Sequence, residues 1–196
     1  MKNSSISQSV GITAVMLIAS LVISSASQAQ TVNIQGADLG KYFKKYDAKG
    51  TIVVLDKRTN DNKTYVYNQK RAALRYSPAS TYKIPHSLFA LDAGLVNDEF
   101  QVFPWDGVKR SYSPHNQDQN LRSAMRNSAV WVYDIFAGQL GDEKASHYLK
   151  KIAYGNADVS APKGSYWLAG KLAISAYEQI EFLESLYKNE LPFKFE

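Results

Sequence analysis

The sequence predicts an α+β domain, and three observations carry that reading. Two β-branched and aromatic runs, Thr51 to Leu55 and Thr64 to Tyr67, flank the turn-rich Thr59-Asn60-Asp61-Asn62, which is the pattern of a hairpin. Four stretches with apolar residues at helical spacing follow that hairpin. Beyond Gln30 no linker, internal repeat or low-complexity stretch divides the chain, so residues 30–196 read as one domain.

Taken in order, the elements begin with a targeting segment. Lys2 precedes Val10 to Ile23, a run of 14 mostly apolar residues, and Ser27-Gln28-Ala29 closes the segment with small residues. This is the layout of a secretory signal over residues 1–29, with cutting expected after Ala29. The apolar run is shorter than the roughly 20 residues that a spanning helix needs, so no membrane attachment is expected after cleavage. Ala37 to Tyr46 then predicts a short helix through Leu39, Tyr42, Phe43 and Tyr46. After the hairpin, Ser80 to Ala93 predicts a helix closed by Gly94. Leu121 to Leu140 reads as one longer helical stretch, with Leu121, Met125, Val132, Ile135 and Phe136 on one face. Asp142 is expected to cap a helix that runs through Ile152. Ser175 and Glu178 form a capping box, and Ile180, Leu183 and Tyr187 continue one face of the last helix. The chain runs out through Leu191-Pro192-Phe193-Lys194-Phe195-Glu196, in apolar sequence. One hairpin is marginal in water, so the sheet reads as unfinished.

Composition excludes several function classes. The 196 residues are 45% hydrophobic and 21% charged, which indicates an ordinary globular chain. The net charge of +5 is spread over short groups such as Lys57 and Arg58, or Lys109 and Arg110. No long basic run forms, so a solvated surface is expected and no nucleic-acid partner. The absence of cysteine removes disulfides, a thiol nucleophile and a lipoprotein anchor together. His86, His115 and His147 lack metal-ligand spacing, so no metal is expected.

The strongest chemical signal is Ser80-Thr81-Tyr82-Lys83. A serine hydroxyl is a poor nucleophile until a neighbouring base takes its proton. At three residues' spacing on a helix, Ser80 and Lys83 project from one face. A lysine with its ordinary pKa of about 10.4 cannot be that base in water. Burial among Ile84, Leu88, Val130 and Trp167 would disfavour its charged form. The spacing alone is weak, because Ser160/Lys163 and Ser185/Lys188 repeat it. Ser185 and Lys188 are expected to be solvated. Context favours Ser80, with Tyr76-Ser77-Pro78-Ala79 before it and an apolar helix after it.

The run from Arg75 to Leu95 resembles the nucleophile helix of class D, oxacillinase-type serine β-lactamases. Ser128-Ala129-Val130, Tyr154-Gly155-Asn156 and Trp167-Leu168-Ala169-Gly170 match three further motifs of that family, in the family's order. Phe103-Pro104-Trp105-Asp106-Gly107 and His115-Asn116-Gln117-Asp118 place it within one branch. The resemblance implies a penicillin-recognising fold, an antiparallel sheet with a helical region, and the hydrolysis of β-lactam antibiotics through a serine acyl-enzyme. It implies that Ser80 attacks the lactam carbonyl and that its backbone N–H forms half of the oxyanion hole. It implies that Lys83 carries carbon dioxide as N6-carboxylysine, the general base, with no other cofactor. Trp167 would hydrogen-bond that group, Val130 would keep it dry, and Ser128 would relay a proton to the leaving nitrogen. Tyr154 and Asn156 would shape the cleft. The implied setting is periplasmic, with antibiotic resistance as its consequence, and a homodimer is left open.

Two departures stand beside the resemblance. The family's Lys-Thr-Gly or Lys-Ser-Gly motif is absent, and the strand that bears it would lie beyond Glu196. On that reading residues 30–196 are an incomplete domain that folds poorly alone and turns over little β-lactam. Tyr82 stands where many relatives carry phenylalanine, and its hydroxyl needs a partner or solvent. The alternative functions are a β-lactam sensor or a penicillin-binding protein, each acylated without turnover. A sensor of that kind sits behind several membrane segments, and Ser128-Ala129-Val130 does not match the Ser-x-Asn of a transpeptidase.

Overall fold

Backbone hydrogen-bond geometry and side-chain burial are available, in a computed structural model, for residues 38–58, 62–161 and 165–193, all within the unit Val32–Glu196. The expected signal over residues 1–29 lies outside them, as do Thr59 to Asp61 of the hairpin turn and Lys163. A short helix, α1 (Gly40–Lys45), leads into strands β1 (Ile52–Asp56) and β2 (Lys63–Tyr67). The strands are antiparallel, with Ile52 opposite Tyr67 and Asp56 opposite Lys63. They form a two-stranded sheet, the only sheet among the described residues. Val54, in mid-strand, is 43% exposed, which leaves an apolar position of the hairpin half open. A one-turn helix, α2 (Gln69–Ala72), follows and was not anticipated. It starts because left-handed Asn68 accepts from the Arg71 N–H with its side chain.

The predicted nucleophile helix is present in two parts. A 3₁₀ turn over Ala79–Tyr82 feeds directly into α3 (Lys83–Asp92). Gly94, at φ +67°, closes α3: the Leu95 N–H reaches the Ala90 carbonyl and the Gly94 N–H reaches Leu91. The chain then runs without regular helix or strand for most of the way to Asn120. Phe103 and Gln119 pair across this segment, and Asp118 accepts from the Trp105 N–H. The two branch motifs therefore face each other and staple the segment's ends.

The single helix expected over Leu121 to Leu140 is two helices, α4 (Leu121–Asn127) and α5 (Val130–Leu140). Ser128 separates them at φ +55°. The Ala129 N–H bonds the Ala124 carbonyl and the Ser128 N–H bonds Met125, the same closure that Gly94 makes. The break also divides the expected apolar face: Leu121, Val132 and Phe136 are buried, while Met125 and Ile135 are exposed. Helix α6 (Asp142–Lys151) starts at Gly141, so Asp142 lies in its first turn and is not its cap. There its charge still suits the positive end of the helix. The Ser175–Glu178 capping box of α7 (Ala176–Tyr187) is present with both hydrogen bonds. Its buried residue is Phe182, however, and Leu183 and Tyr187 are exposed. Tyr187 instead lies under Lys57 Nζ, 5.2 Å from its ring centre.

The core lies where α3 packs on α5 and α5 on α6, while α7 lies against β1. Phe89, Val132, Phe136 and Leu149 are fully buried there, joined by Tyr82, Tyr154 and Trp167. Gly155, at φ +57°, lies so close to the segment after Trp167 that a Cβ would overlap the Ala173 carbonyl. Replacing it (Gly155→Ala) should lower stability by at least about 1–2 kcal/mol from the left-handed backbone alone. A urea unfolding midpoint unchanged from that of the parent chain would refute this account of the turn.

Candidate active site

The structure brings Ser80, Lys83 and Ser128 together. Ser80 Oγ is 3.1 Å from Lys83 Nζ and 2.9 Å from Ser128 Oγ. The first contact follows from the continuous turn between the 3₁₀ segment and α3. The second follows from the left-handed turn at Ser128, which ends α4 beside the nucleophile. Ser80 is exposed, whereas Lys83 is 1% exposed. That contrast suits a nucleophile open to substrate beside a base shielded from water.

Burial is the main reason the Lys83 amine sits below its ordinary pKa, and the charge of Asp134 opposes the shift. Among the described residues no carboxylate forms a salt bridge with Lys83, and the face of Tyr133 lies 5.3 Å from Nζ. Desolvation makes a buried lysine lose its proton more readily than a solvated one, although the aromatic face by itself favours the ammonium form. The other Ser-x-x-Lys pair that is described behaves as a surface pair, since Lys188 bonds Glu184.

Trp167 is fully buried and its main chain holds the nucleophile segment. Its carbonyl accepts from the Ala79 N–H at 3.1 Å and from Ser77 Oγ at 2.7 Å. Tyr76 and Ile174 exchange both backbone hydrogen bonds on the same border. Ala79 is held at φ +46°, a strained conformation directly before Ser80. Asn156 supports this border from the other side: its Oδ1 accepts from the Ala173 N–H and its Nδ2 donates to the Lys171 carbonyl. Tyr154 is buried, and its hydroxyl accepts from Gln179 Nε2, which also donates to Thr81 Oγ1. Val130 opens α5 half-buried, next to fully buried Ala129.

Several residues that matter here were not singled out in the sequence. Tyr166 supplies the partner that the Tyr82 hydroxyl requires, at 2.8 Å. Tyr133 stands one helical turn after Val130, so spacing on the α5 face was the available signal. Gln179 carries no such signal, and Ser77 stands in the sequence only as context for Ser80. Among the described residues no cluster of His, Asp and Glu could hold a metal ion. For carbon dioxide on Lys83 the local chemistry fits. The amine is desolvated, and Trp167 Nε1–H is a buried donor with no hydrogen-bond partner.

Comparison with known proteins follows the same lines. The penicillin-binding protein transpeptidase domain matches residues 50–193. The chain is 61% identical over 181 residues to β-lactamase OXA-20 of Pseudomonas aeruginosa, covering 92% of this chain and 68% of that protein. It is 60% identical over 170 residues to β-lactamase OXA-2 of Salmonella typhimurium, covering 87% of this chain and 62% of that protein. The chain thus spans about two thirds of the length of these relatives. A solved class D β-lactamase from Bacillus subtilis superposes with a TM-score of 0.76 at 41% identity, over 83% of this chain and 67% of that one. The fold is therefore the penicillin-recognising transpeptidase-like fold, and the chain belongs to the class D β-lactamase family.

Proposed function

We propose that the protein hydrolyses β-lactam antibiotics through an acyl-enzyme on Ser80. The observation that carries this is the position of one exposed serine hydroxyl between a buried lysine nitrogen at 3.1 Å and a second hydroxyl at 2.9 Å. Ser80 attacks the lactam carbonyl while its proton leaves toward Lys83. The Ser80 backbone N–H, at the start of the helical turn, faces the oxygen that gains charge. Ser128 Oγ, 2.9 Å from Ser80 Oγ, passes a proton to the ring nitrogen as the amide bond breaks. Trp167, Tyr133 and Val130 exclude water from the lysine, while Tyr154 and Asn156 hold the neighbouring cleft wall. With carbon dioxide bound as N6-carboxylysine, Lys83 carries an oxygen base in place of its amine, and Trp167 Nε1–H is the donor available to hold it. Cutting after Ala29 would deliver the enzyme to the periplasm, where these antibiotics act.

For the complete protein, the named roles lead to three expected outcomes. Intact mass after brief exposure to benzylpenicillin should show an adduct that is shed within minutes and is absent in Ser80→Ala. An adduct held for hours would mark a sensor or a penicillin-binding protein instead.

Acidity and carbon dioxide should act together. Because burial depresses the Lys83 pKa, its unprotonated form persists to lower pH than in an ordinary lysine and is lost as pH falls through the depressed value. Turnover should therefore fall on the acid side and recover when bicarbonate is restored to degassed protein. Indifference to bicarbonate after degassing at low pH would remove carbon dioxide from the account.

Ser128→Gly separates chemistry from folding. It relieves the left-handed serine, so the unfolding midpoint should rise, by up to about 1 kcal/mol in stability. Penicillin turnover should fall at least tenfold. A variant that is stabilised and fully active would show that Ser128 relays no proton.

A further inference from the structure

His86 lies three residues after Lys83 on α3, is 0% exposed, and is not used by the mechanism above. Four rings enclose it. Tyr82 is 5.1 Å away between centroids, Trp167 5.2 Å, Tyr133 5.8 Å and Phe136 5.9 Å. One of these, Tyr133, also lies 5.3 Å from Lys83 Nζ, and Trp167 is the donor that the proposed function assigns to the lysine. Neither ring nitrogen of His86 has a hydrogen-bond partner, and the Trp167 Nε1–H has none either. These three are the buried side-chain polar atoms left unpaired among the described residues, and all belong to two rings in edge-on contact.

An unpaired polar group in a dry core costs about 1–3 kcal/mol. Phenylalanine would fill the same cage without that cost, so packing alone does not account for histidine. Burial first, and the charge of Lys83 second, push the imidazole down to about 3, which keeps it neutral over the working range. A neutral imidazole offers one N–H and one lone pair, so its ring presents to the edge-on Trp167 indole a dipole that phenylalanine would lack.

We infer that His86 is a positioning residue: its imidazole sets the orientation of the Trp167 indole and thereby the surroundings of the Lys83 head. This rests on the proposed function, in which Lys83 receives the Ser80 proton and the Trp167 N–H is the donor toward the Lys83 head. An indole N–H donor favours the unprotonated lysine, or its carboxylated form, over the ammonium ion. Disturbing the indole therefore makes protonation easier and moves the acid limb of acylation upward.

The test compares His86→Phe, which keeps a ring but removes both nitrogens, with His86→Asn, which keeps a donor and an acceptor. Ser80 acylation by a fluorescent penicillin is followed against pH. Occupancy of Lys83 by ¹³C-bicarbonate is read separately by NMR, and unfolding midpoints monitor folding. In His86→Phe the acid limb should move up by about one pH unit, tenfold in rate at a fixed acid pH, with no loss of stability. His86→Asn should return the limb toward that of the parent. His86→Leu serves the same comparison if the phenylalanine variant does not fold. A folded apolar variant with the parental acid limb overturns the inference. If the limb moves but no protein takes up ¹³C, His86 keeps its role and the carbon dioxide reading falls. Absence of acylation in the parent sinks both.

Discussion

The site depends on keeping one lysine dry. Lys83 is all but inaccessible to solvent, yet its nitrogen touches the hydroxyl of an exposed serine. A buried ammonium without a carboxylate partner is expensive, so the protein lowers the cost by releasing the proton more easily. The surrounding core has to be aromatic and tight enough to exclude water while leaving the serine side open. Tyr82, Tyr133, Tyr154, Phe136 and Trp167 meet that demand with large rings that bury much area at few rotatable bonds.

A second constraint is where the serine can sit. Its segment is fixed less by its own helix than by the chain around Trp167. The Trp167 carbonyl takes two hydrogen bonds from residues 77 and 79, and Tyr76 bridges Ile174. Asn156 in turn ties the same stretch to the turn after α6. Three motifs far apart in sequence thus form one hydrogen-bonded border, and Arg75 extends it by pairing with Glu178 at the start of α7. The strained backbone at Ala79 persists because this border over-determines it.

Local rules reached much of this from the residues alone. The hairpin, the nucleophile helix and its glycine stop, and the capping box of α7 each rest on short-range chemistry. So does the pairing of Ser80 with Lys83. Helix ends were less legible. Ser128, Ala153 and Asn189 all take the left-handed position that closes a helix, and none is glycine. The gap between α4 and α5 was therefore read through, although it is what brings Ser128 to the nucleophile. Tyr187 was assigned to a buried face because tyrosine counts as apolar in a periodic pattern, whereas its ring serves Lys57 at the surface. By sequence alone His86 offers only a candidate metal ligand without ligand spacing. Its burial depends on rings from α5 and from the Trp167 segment, which no window of local sequence contains.

The residues where folding rules are broken are the ones grouped around Ser80. Among the described residues a buried lysine has no acid in a salt bridge with it, and a histidine and a tryptophan hold unpaired polar atoms. Ser128 occupies a turn that favours glycine, and Ala79, directly before Ser80, is also left-handed. Each would be relieved by a simple substitution elsewhere in a core or a helix cap. Their coincidence in one place is the expected cost of a reactive centre, because a group matched perfectly to its surroundings has little tendency to exchange a proton. The penalties are offset by the ordinary core further along α3, where Phe89 meets Tyr148 and Phe193 in a close aromatic cluster. Helix α3 therefore has two functions along its length: its later turns anchor it in an unstrained core, and its first turn carries the strained lysine to the serine.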